Sequence, residues 1–231
     1  MNNIVTKPAL DSHNKVVKVI DKRYLSDSVV LLTFENPGFN FASGQHVILS
    51  FLDTIYDREY SICSSEDDEH LSVLIKIVNE GYFTSRIAEI QIGDELNLRG
   101  PHGNFCLDLL ANSTKKHYLI ATGSGIAPFL SFQKTYGQLI NFEVIHGTRT
   151  VDGTVFRNVF PNYKVCLSRE VVESNDLLYF AGRVTDYIRS IQFDNDGLFY
   201  LCGNFDMIYD VETYLVQIGV NPNCIFKEVY F

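Results

Sequence analysis

Residues 117–129 read HYLIATGSGIAPF. The first five are apolar or aromatic, which predicts a buried strand, and the glycines at positions 123 and 125 predict a tight turn into a helix. Pro128 suits the first turn of that helix, where its missing N–H costs no hydrogen bond. Such a turn lets the backbone approach a pyrophosphate, and the helix N-terminus offers N–H groups to the anion. An ordinary chain reversal has the same pattern, so nucleotide binding is one of two open interpretations of this stretch.

Strand and helix patterns alternate on the C-terminal side of this turn. The predicted strands cover residues 117–121, 142–146, 163–168 and 198–202, and the predicted helices cover residues 127–136, 183–190 and 205–218. This order predicts βαβ units, and therefore an α/β domain with a parallel sheet covered by helices, over residues 114–231.

The residues before the turn have a different character. Short segments rich in β-branched and aromatic residues alternate with turns that contain Gly, Pro, Asn or Ser. The predicted strands cover residues 15–20, 29–34, 46–51, 59–63 and 71–78, a helix covers residues 84–90, and a turn at residues 93–98 leads into one more strand. Strands at such short spacing predict an antiparallel β-barrel over residues 1–113, with the domain boundary near residue 113.

The composition indicates a globular protein with a substantial core. The 231 residues are 46% hydrophobic and 20% charged, with a net charge of −9. Because there is no basic stripe, no long apolar run and no apolar N-terminal segment, we expect no nucleic-acid binding, no membrane span and no signal peptide. The five cysteines, at positions 63, 106, 166, 202 and 224, lack CxxC spacing, which argues against a metal site or a disulfide framework. We expect a cytoplasmic protein, and we expect it to be monomeric.

The segment Arg58-Glu59-Tyr60-Ser61 has residue types suited to a flavin. An arginine can hold a diphosphate through paired, charge-assisted hydrogen bonds. Tyr60 can stack on an aromatic cofactor, and the Ser61 hydroxyl can bond near a redox-active ring nitrogen. On a strand, Arg58 and Tyr60 face one side and Ser61 faces the other, unless the strand bends or ends there. A plain surface strand could carry the same four residues.

Three arginines follow predicted strands or precede a predicted helix in the second half. Arg169 lies in Ser168-Arg169-Glu170 at the end of one strand, and Arg149 and Arg183 lie at the ends of neighbouring elements. Ligands of open α/β sheets bind beyond the carboxyl ends of the strands. Together the three could clamp a ribose 2′-phosphate, although each one by itself fits a solvated surface charge as well.

These segments, taken in order over about residues 15–231, resemble the ferredoxin–NADP reductase family. Arg58-Glu59-Tyr60-Ser61 is similar to the family's RxYS motif, whose Arg holds the FAD diphosphate and whose Tyr and Ser line the isoalloxazine. Residues 76–78 and 81–85 resemble its second FAD segment, which follows the ribityl chain and caps the diphosphate. With the end of the chain included, the resemblance implies as FAD-binding residues Arg58, Glu59, Tyr60, Ser61, Lys76, Ile77, Val78, Gly81, Phe83, Thr84, Ser85, Tyr230 and Phe231.

The second half resembles the NADP(H)-binding side of the same family. Residues 123–129 are similar to its GTGIAPF loop, with Ser124 in place of Thr, and residues 202–204 resemble its CG motif beside the nicotinamide. Residues 168–170 are similar to its SRE segment, and Gly182-Arg183-Val184 resembles a further phosphate-binding segment of bacterial members. The resemblance implies as NADP-binding residues Gly123, Ser124, Gly125, Pro128, Arg149, Ser168, Arg169, Arg183, Cys202 and Gly203.

The last four residues, Glu228-Val229-Tyr230-Phe231, resemble the Glu-x-Tyr ending of plastid-type members with one additional aromatic residue. The resemblance implies that Tyr230 covers the flavin face opposite Tyr60 and that Phe231 packs on the FAD adenine. A strand tucked into the core would suit these aromatic residues equally. The catalytic residues implied in this way are Ser61, Cys202, Glu228 and Tyr230.

The activity implied by the resemblance is electron exchange between NADPH and a one-electron carrier. NADPH would give a hydride to flavin N5, and the electrons would leave singly to a ferredoxin or flavodoxin. No cysteine pattern of a fused iron–sulfur domain is present, so the carrier is expected to be a separate protein, docked by residues such as Lys22, Arg23 or Lys227. Two alternatives stay open, namely an NADPH-dependent reductase of quinones, free flavins or an oxygenase component, and a non-catalytic FAD/NADP-binding redox sensor.

Overall fold

The computed structural model describes residues 14–78, 80–107, 115–172 and 176–230. The predicted domain boundary near residue 113 and the predicted adenine contact of Phe231 lie outside these residues. No helix in the described ranges is long and apolar enough to cross a membrane.

The first half forms a six-stranded antiparallel sheet. Its strands are β1 (Lys15–Ser26), β2 (Val29–Glu35), β3 (His46–Phe51), β4 (Asp57–Ser61), β5 (His70–Lys76) and β6 (Glu95–His102). They lie in the order β4-β3-β6-β1-β2-β5, and a bridge between Ile62 and Val73 joins the end of β4 to β5. The helix α1 (Tyr82–Glu89) buries Phe83 and Ile87 against this sheet.

The burial pattern of the strands explains why the sheet curls around one core. Every second residue of β2 and β3 is buried, including Leu32, Phe34 and Leu49, while the residues between them are partly exposed. This period of two places the apolar side chains on one face, because successive side chains of a strand point to opposite faces. The predicted antiparallel barrel domain is thus confirmed.

The second half forms a six-stranded parallel sheet with helices on its faces. Its strands are β7 (His117–Thr122), β8 (Phe142–Thr148), β9 (Asn162–Leu167), β10 (Tyr179–Ala181), β11 (Leu198–Asn204) and β12 (Ile225–Tyr230), and its helices are α2 (Ala127–Tyr136), α3 (Val184–Ser190) and α4 (Phe205–Gln217). The order β10-β9-β8-β7-β11-β12 confirms the predicted α/β domain. The direction of winding reverses between β7 and β11, so a crevice opens at the carboxyl ends of these two strands.

Of the strands of this sheet, β10 has no counterpart in the sequence prediction, and β12 appeared there only as an alternative interpretation of the last residues. β10 is only three residues long and partly exposed, so it lacks a periodic signal. β12 buries one residue fully and leaves the others partly exposed, because it lies at the edge of the sheet beside β11. Its position matters for function, since it carries Glu228 and Tyr230 along the carboxyl half of β11.

Polar contacts join the two domains. The Ser131 hydroxyl donates to the Ser64 carbonyl oxygen at 2.7 Å, and the Tyr136 hydroxyl donates to the Glu66 carboxylate at 2.6 Å. The same carboxylate accepts the Ser43 backbone N–H at 2.7 Å. Buried polar groups satisfied in this way fix relative position more sharply than apolar contact does, because hydrogen bonds are directional. The network therefore sets the spacing between β4 of the barrel and the crevice of the parallel sheet.

Candidate functional site

The crevice between β7 and β11 is formed by segments whose backbones lie very close to each other. The turn after β7 begins at Gly123, whose φ is +55°, and a Cβ on Gly125 would lie 2.4 Å from the Cys202 carbonyl oxygen. Gly203, with a φ of +124°, would place a Cβ 2.5 Å from the Thr122 hydroxyl oxygen. Only glycine fits these contacts, because real Cβ atoms are not found so close to other atoms. The predicted strand, glycine turn and helix are confirmed, and α2 begins directly after the turn.

A buried histidine that sequence analysis did not select holds this turn. The His146 Nε2–H donates to the Gly123 carbonyl oxygen at 2.8 Å, and its Nδ1 accepts from the Tyr163 hydroxyl at 2.7 Å. Burial lowers the pKa of His146 to about 4, so the ring is neutral at physiological pH. Its place near the carboxyl end of a predicted strand, where ligands of α/β sheets bind, was the signal that could have identified it.

Because of His146, the free energy of unfolding is expected to depend on pH. The folded-state pKa of about 4 lies below the ordinary value of 6.5, so between these values the unfolded chain binds a proton that the folded chain excludes. The stabilisation is complete above pH 6.5 and is lost as the pH falls toward 4, with a total of about 3 kcal/mol. We expect His146→Gln, whose amide can make both hydrogen bonds, to lose less stability than the wild type between pH 7 and pH 4. Urea unfolding at the two pH values measures this, and an equal loss in both proteins would contradict it.

The residues implied as catalytic form one hydrogen-bonded cluster between the domains. The Tyr230 hydroxyl donates to Ser61 Oγ at 2.6 Å, and the Ser61 hydroxyl donates to Glu228 Oε2 at 3.0 Å. Cys202 is fully buried at the end of β11 beside them. Burial, together with the charge of Glu228, raises the pKa of the Cys202 thiol, and burial raises the pKa of Tyr230 as well. Both groups are therefore protonated at neutral pH, and Glu228 is the acceptor of the cluster.

His46 is a second residue that sequence analysis did not select. It lies on β3 with Nδ1 3.7 Å from Glu228 Oε1 and Nε2 3.9 Å from Glu59 Oε2. The nearby Glu228 carboxylate raises the pKa of His46 against the opposing effect of burial. A Cβ on Gly103, whose φ is +93°, would lie 2.9 Å from His46 Nδ1, so glycine leaves room for the ring. His46 connects the carboxylate of the cluster to the barrel surface.

The side chains of β4 divide between two environments. Arg58 is exposed, and its Nη1 donates to the Asp57 carbonyl oxygen at 2.6 Å. The ring of Tyr60 lies 5.9 Å from the ring of Phe83, and burial raises the pKa of Tyr60. Phe83 is only 2% exposed, so it supports Tyr60 from within the core rather than from the surface. Ser61, on the other side of the strand, reaches the cluster at the second domain, as expected from its alternation with Tyr60.

The start of α1 fits a diphosphate. Gly81 is the N-cap residue, no side chain caps the helix, and the first turn has no acidic residue. A Cβ on Gly81 would lie 2.7 Å from the Thr84 hydroxyl oxygen, which is bonded at 3.2 Å to the backbone of Val78. Uncapped N–H groups at a helix start attract anions, and the exposed guanidinium of Arg58 adds positive charge. Together with Tyr60 and Ser61, this donor set fits an FAD.

Lys76 of the predicted FAD segment lies within electrostatic reach of Arg149, one of the predicted phosphate-binding arginines. Partial burial and then the positive charge of Arg149 lower the pKa of Lys76, which ends β5. Residues 77, 78 and 81 lead from Lys76 at the end of β5 to α1, which contains Ser85. The direct FAD contacts of Lys76, Ile77, Val78 and Ser85 stay predictions.

The arginines implied for the 2′-phosphate lie on adjacent loops at the carboxyl edge of the parallel sheet. The Arg169 N–H donates to the Arg149 carbonyl oxygen at 2.9 Å, and the Gly182 N–H, next to Arg183, donates to the Leu167 carbonyl oxygen at 2.9 Å. All three side chains are exposed. No ion pair within the described residues uses any of these three guanidinium groups. They are therefore free to meet an anionic ligand.

Glu170 stabilises the loops at the carboxyl edge of the parallel sheet. Its carboxylate accepts the Val151 N–H at 2.7 Å, which ties the loop after β8 to the loop after β9. The Ser168 hydroxyl donates to the Thr148 carbonyl oxygen at 3.3 Å in the same pair of loops. The backbone positions of Arg149 and Arg169 are thus set by contacts among their neighbours.

Comparison with family models matches both halves of the chain. The model described as Oxidoreductase FAD-binding domain matches residues 16–106, and the model described as Oxidoreductase NAD-binding domain matches residues 119–213. The first range contains β4 and α1, and the second contains the glycine turn and the three arginines.

Known proteins similar to this chain include oxidoreductases with different partners. The chain is 31% identical to a ferredoxin–NADP reductase of Pseudomonas aeruginosa over 218 residues, which cover 81% of the chain and 83% of the relative. It is 28% identical to the electron transfer component of toluate 1,2-dioxygenase of Pseudomonas putida over 226 residues, 90% of the chain, and spans 65% of that protein's length. A ferredoxin NADP+ reductase of Neisseria gonorrhoeae, solved with bound FAD and NADP, superimposes with a TM-score of 0.84 at 21% identity, covering 96% of this chain and all of that one.

Proposed function

The chain belongs to the ferredoxin–NADP reductase family, and we propose that it passes electrons from NADPH through bound FAD to a separate one-electron carrier such as ferredoxin or flavodoxin. It is an FAD- and NAD(P)-dependent oxidoreductase with an FAD-binding and an NAD(P)-binding domain. The observation that carries the proposal is the hydrogen-bonded cluster of Ser61, Glu228 and Tyr230, which joins the barrel to the crevice of the parallel sheet.

The contacts of the residues around β4 and α1 support a separate role for each of them in holding FAD. FAD supplies the redox chemistry when bound, since it takes two electrons from a nicotinamide and releases them singly. Arg58 and the start of α1 hold its diphosphate, and Tyr60 lines its ring. Ser61 holds a proton at its hydroxyl oxygen beside the ring, where Glu228 can accept it, and Tyr230 covers the site.

The nicotinamide side is held by the parallel sheet. The glycine turn and the start of α2 hold the dinucleotide diphosphate, because Gly123 and Gly125 have no side chains in the way and the helix offers N–H groups. Cys202 and Gly203 border the nicotinamide, and the buried Cys202 thiol keeps water from that edge. Anaerobic mixing with NADPH tests the proposal, since the flavin absorption band should bleach, whereas a redox sensor without catalysis would leave it unchanged.

NADPH preference is proposed to come from the exposed arginines. We expect Arg169→Ala to weaken NADPH about tenfold or more and to leave NADH nearly unchanged, because a charge-assisted bond contributes roughly 1.5–3 kcal/mol. Affinities from equilibrium titration of the oxidised protein with NADP+ and NAD+, and KM values for the reduced forms, measure this. Arg189→Ala is the control, since Arg189 is an exposed arginine in the last turn of α3. Equal weakening of both cofactors would contradict the phosphate role.

The basic residues suggested for docking of the electron carrier make contacts within the protein itself. The three basic residues suggested for docking are already engaged, since Lys22 donates to the carbonyl oxygens of residues 88 and 90, Arg23 pairs with an aspartate, and Lys227 pairs with a glutamate. This weakens the idea that they attract an acidic carrier. Cytochrome c reduction with and without ferredoxins and flavodoxins of the organism tests the carrier, and a rate that falls with salt only when the carrier is present supports electrostatic docking.

A second candidate function is electron supply to an oxygenase. It is supported by the similarity over 90% of the chain to the toluate 1,2-dioxygenase component. Quinones and free flavins are further acceptors within the same mechanism. Steady-state NADPH oxidation with each acceptor distinguishes them, because the physiological acceptor should give the highest kcat/KM.

A further inference from the structure

The strand β4 and the residue before it present alternate side chains to two different neighbours. Asp57, Glu59 and Ser61 face the β3–β6 side and the second domain, where they meet Arg99, His46 and Glu228 in turn. The residues between them face α1. The ring of Tyr56 lies 5.3 Å from the ring of Tyr82, and the ring of Tyr60 lies 5.9 Å from the ring of Phe83. Tyr56, Arg58 and Tyr60 therefore form a row along the start of the helix.

The two ends of this row differ in exposure. Tyr60 and Phe83 belong to the barrel core or its border. Tyr56 and Tyr82 are 58% and 56% exposed, so their ring contact buries only part of each ring. Two large aromatic rings side by side at the surface form a stacking platform that the packing of the fold does not use.

The platform is held in place on both sides. Arg86 of α1 makes two hydrogen bonds to the Asp53 carboxylate in the β3–β4 loop, at 2.8 and 3.1 Å. It also lies over the ring of Phe51 at 3.9 Å and reaches the Tyr82 hydroxyl at 3.4 Å. A paired arginine–carboxylate contact has a defined geometry. It therefore ties the loop that carries Tyr56 to the helix that carries Tyr82.

The position of the row relative to the proposed flavin site indicates what the platform binds. The isoalloxazine lies at the Tyr60–Ser61 end of β4 and the diphosphate lies at Arg58. Residues along a strand advance about 3.3 Å each, so Tyr56 lies about 7 Å beyond Arg58 on the side away from Ser61. The part of FAD beyond the diphosphate is the adenosine. We propose that Tyr56 and Tyr82 stack on the adenine and thereby make the protein select FAD over FMN, which lacks this group.

This inference rests on the proposed placement of the diphosphate at Arg58. It gives the adenine a different partner from Phe231, which the family resemblance implied. An adenine on Tyr56 and Tyr82 extends the cofactor along β4, whereas an adenine on Phe231 folds it back toward the end of β12. The two placements are distinguished by which aromatic residue discriminates FAD from FMN.

Titration of the flavin-free protein with FAD and with FMN, followed by flavin fluorescence, tests the inference. We expect Tyr56→Ala and Tyr82→Ala each to weaken FAD about tenfold or more and to change FMN less than about twofold, because stacking of a base on an aromatic ring contributes at this scale. Tyr56→Phe should keep the wild-type FAD/FMN ratio, since it keeps the ring. Tyr209→Ala, which removes an exposed tyrosine on α4, should leave both affinities unchanged.

The other outcomes overturn the inference. An unchanged FAD/FMN ratio in both alanine variants does so, and so does an equal loss of the two flavins, which would indicate local distortion of the site. A loss of FAD preference in Phe231→Ala but not in Tyr56→Ala assigns the adenine to Phe231. Two further measurements test the proposed function independently of Tyr56. Arg58→Ala should weaken the binding of both FAD and FMN, and NADPH should bleach the absorption band of FAD bound to the wild-type protein.

Discussion

Replacing Ser61 with alanine should lower the rate of flavin reduction by NADPH about 100-fold or more. The Ser61 hydroxyl bonds both the Tyr230 hydroxyl, at 2.6 Å, and the Glu228 carboxylate, at 3.0 Å. Its removal would break the path that we propose for a proton between the flavin and a carboxylate. A positioned proton-transfer or hydrogen-bonding group contributes about 100-fold to 1000-fold to a rate in enzymes.

Stopped-flow bleaching of the flavin band measures this effect directly. FAD affinity should change only slightly, because the diphosphate and ring contacts proposed for Arg58 and Tyr60 remain. Ser50→Ala is a matched control, since Ser50 is a partly buried serine on the neighbouring strand β3. A rate within about tenfold of the wild type in a fully FAD-loaded Ser61→Ala protein would remove Ser61 from the catalytic set.

Glu228 extends the proposed proton path from Ser61 to a further residue, His46. His46 lies 3.7 Å from its second carboxylate oxygen, and this carboxylate raises the pKa of the histidine. The order of contacts runs from Ser61 through Glu228 to His46.

Replacing Gly44 with alanine should destabilise the protein by about 4 kcal/mol. The residue has a φ of +94°, and its Cβ would lie 1.8 Å from the Phe105 backbone carbonyl oxygen and 2.9 Å from the Phe132 ring. The backbone conformation alone costs a non-glycine residue about 1–2 kcal/mol. The clash adds about 1–3 kcal/mol or more, because a backbone carbonyl cannot turn aside as a flexible side chain can.

Gly38→Ala is the matched control for this prediction. Gly38 has a similar φ of +89°, but its Cβ would have no atom within 4 Å. It should therefore lose only the conformational part, about 1 kcal/mol. Urea unfolding gives both values, and equal losses in the two variants would show that the Phe105 contact has no energetic importance. Because Phe132 belongs to α2, the Gly44 variant should also loosen the contact between the domains.

Local sequence patterns predicted most of the elements. The alternation of apolar residues in β2 and β3, and the strand followed by a glycine turn and a helix at residues 117–136, were sufficient for the order of barrel and α/β domain. These patterns act over a few residues, because side-chain direction repeats every 2 residues in a strand and every 3.6 in a helix. The edge strand β10 was missed and the edge strand β12 was only an alternative interpretation, since an edge strand is only partly buried and its pattern is weak.

The chemistry of the side chains and the resemblance to the family were enough to identify the candidate site residues, such as Arg58, Ser61, Gly125, Arg169 and Glu228. The contacts among these residues, however, are seen only in the tertiary structure. Ser61 and Glu228 are 167 positions apart, and they meet because β12 lies parallel to β11 and brings its carboxyl end to β4. His46 and His146 were absent from the prediction for the same reason. The importance of each depends on a distant partner, Glu228 for one and the Gly123 carbonyl for the other.

The glycine turn at residues 123–125 illustrates which features follow from the local sequence and which follow from the tertiary structure. The sequence by itself determined that a strand ends there, that a helix begins with Pro128 in its first turn, and that two glycines lie between them. Only the tertiary structure decided why Gly125 must be glycine, because the Cys202 carbonyl that a Cβ would strike belongs to a strand 77 residues later. Local periodicity reports which way a side chain points, whereas packing between distant strands decides what it meets.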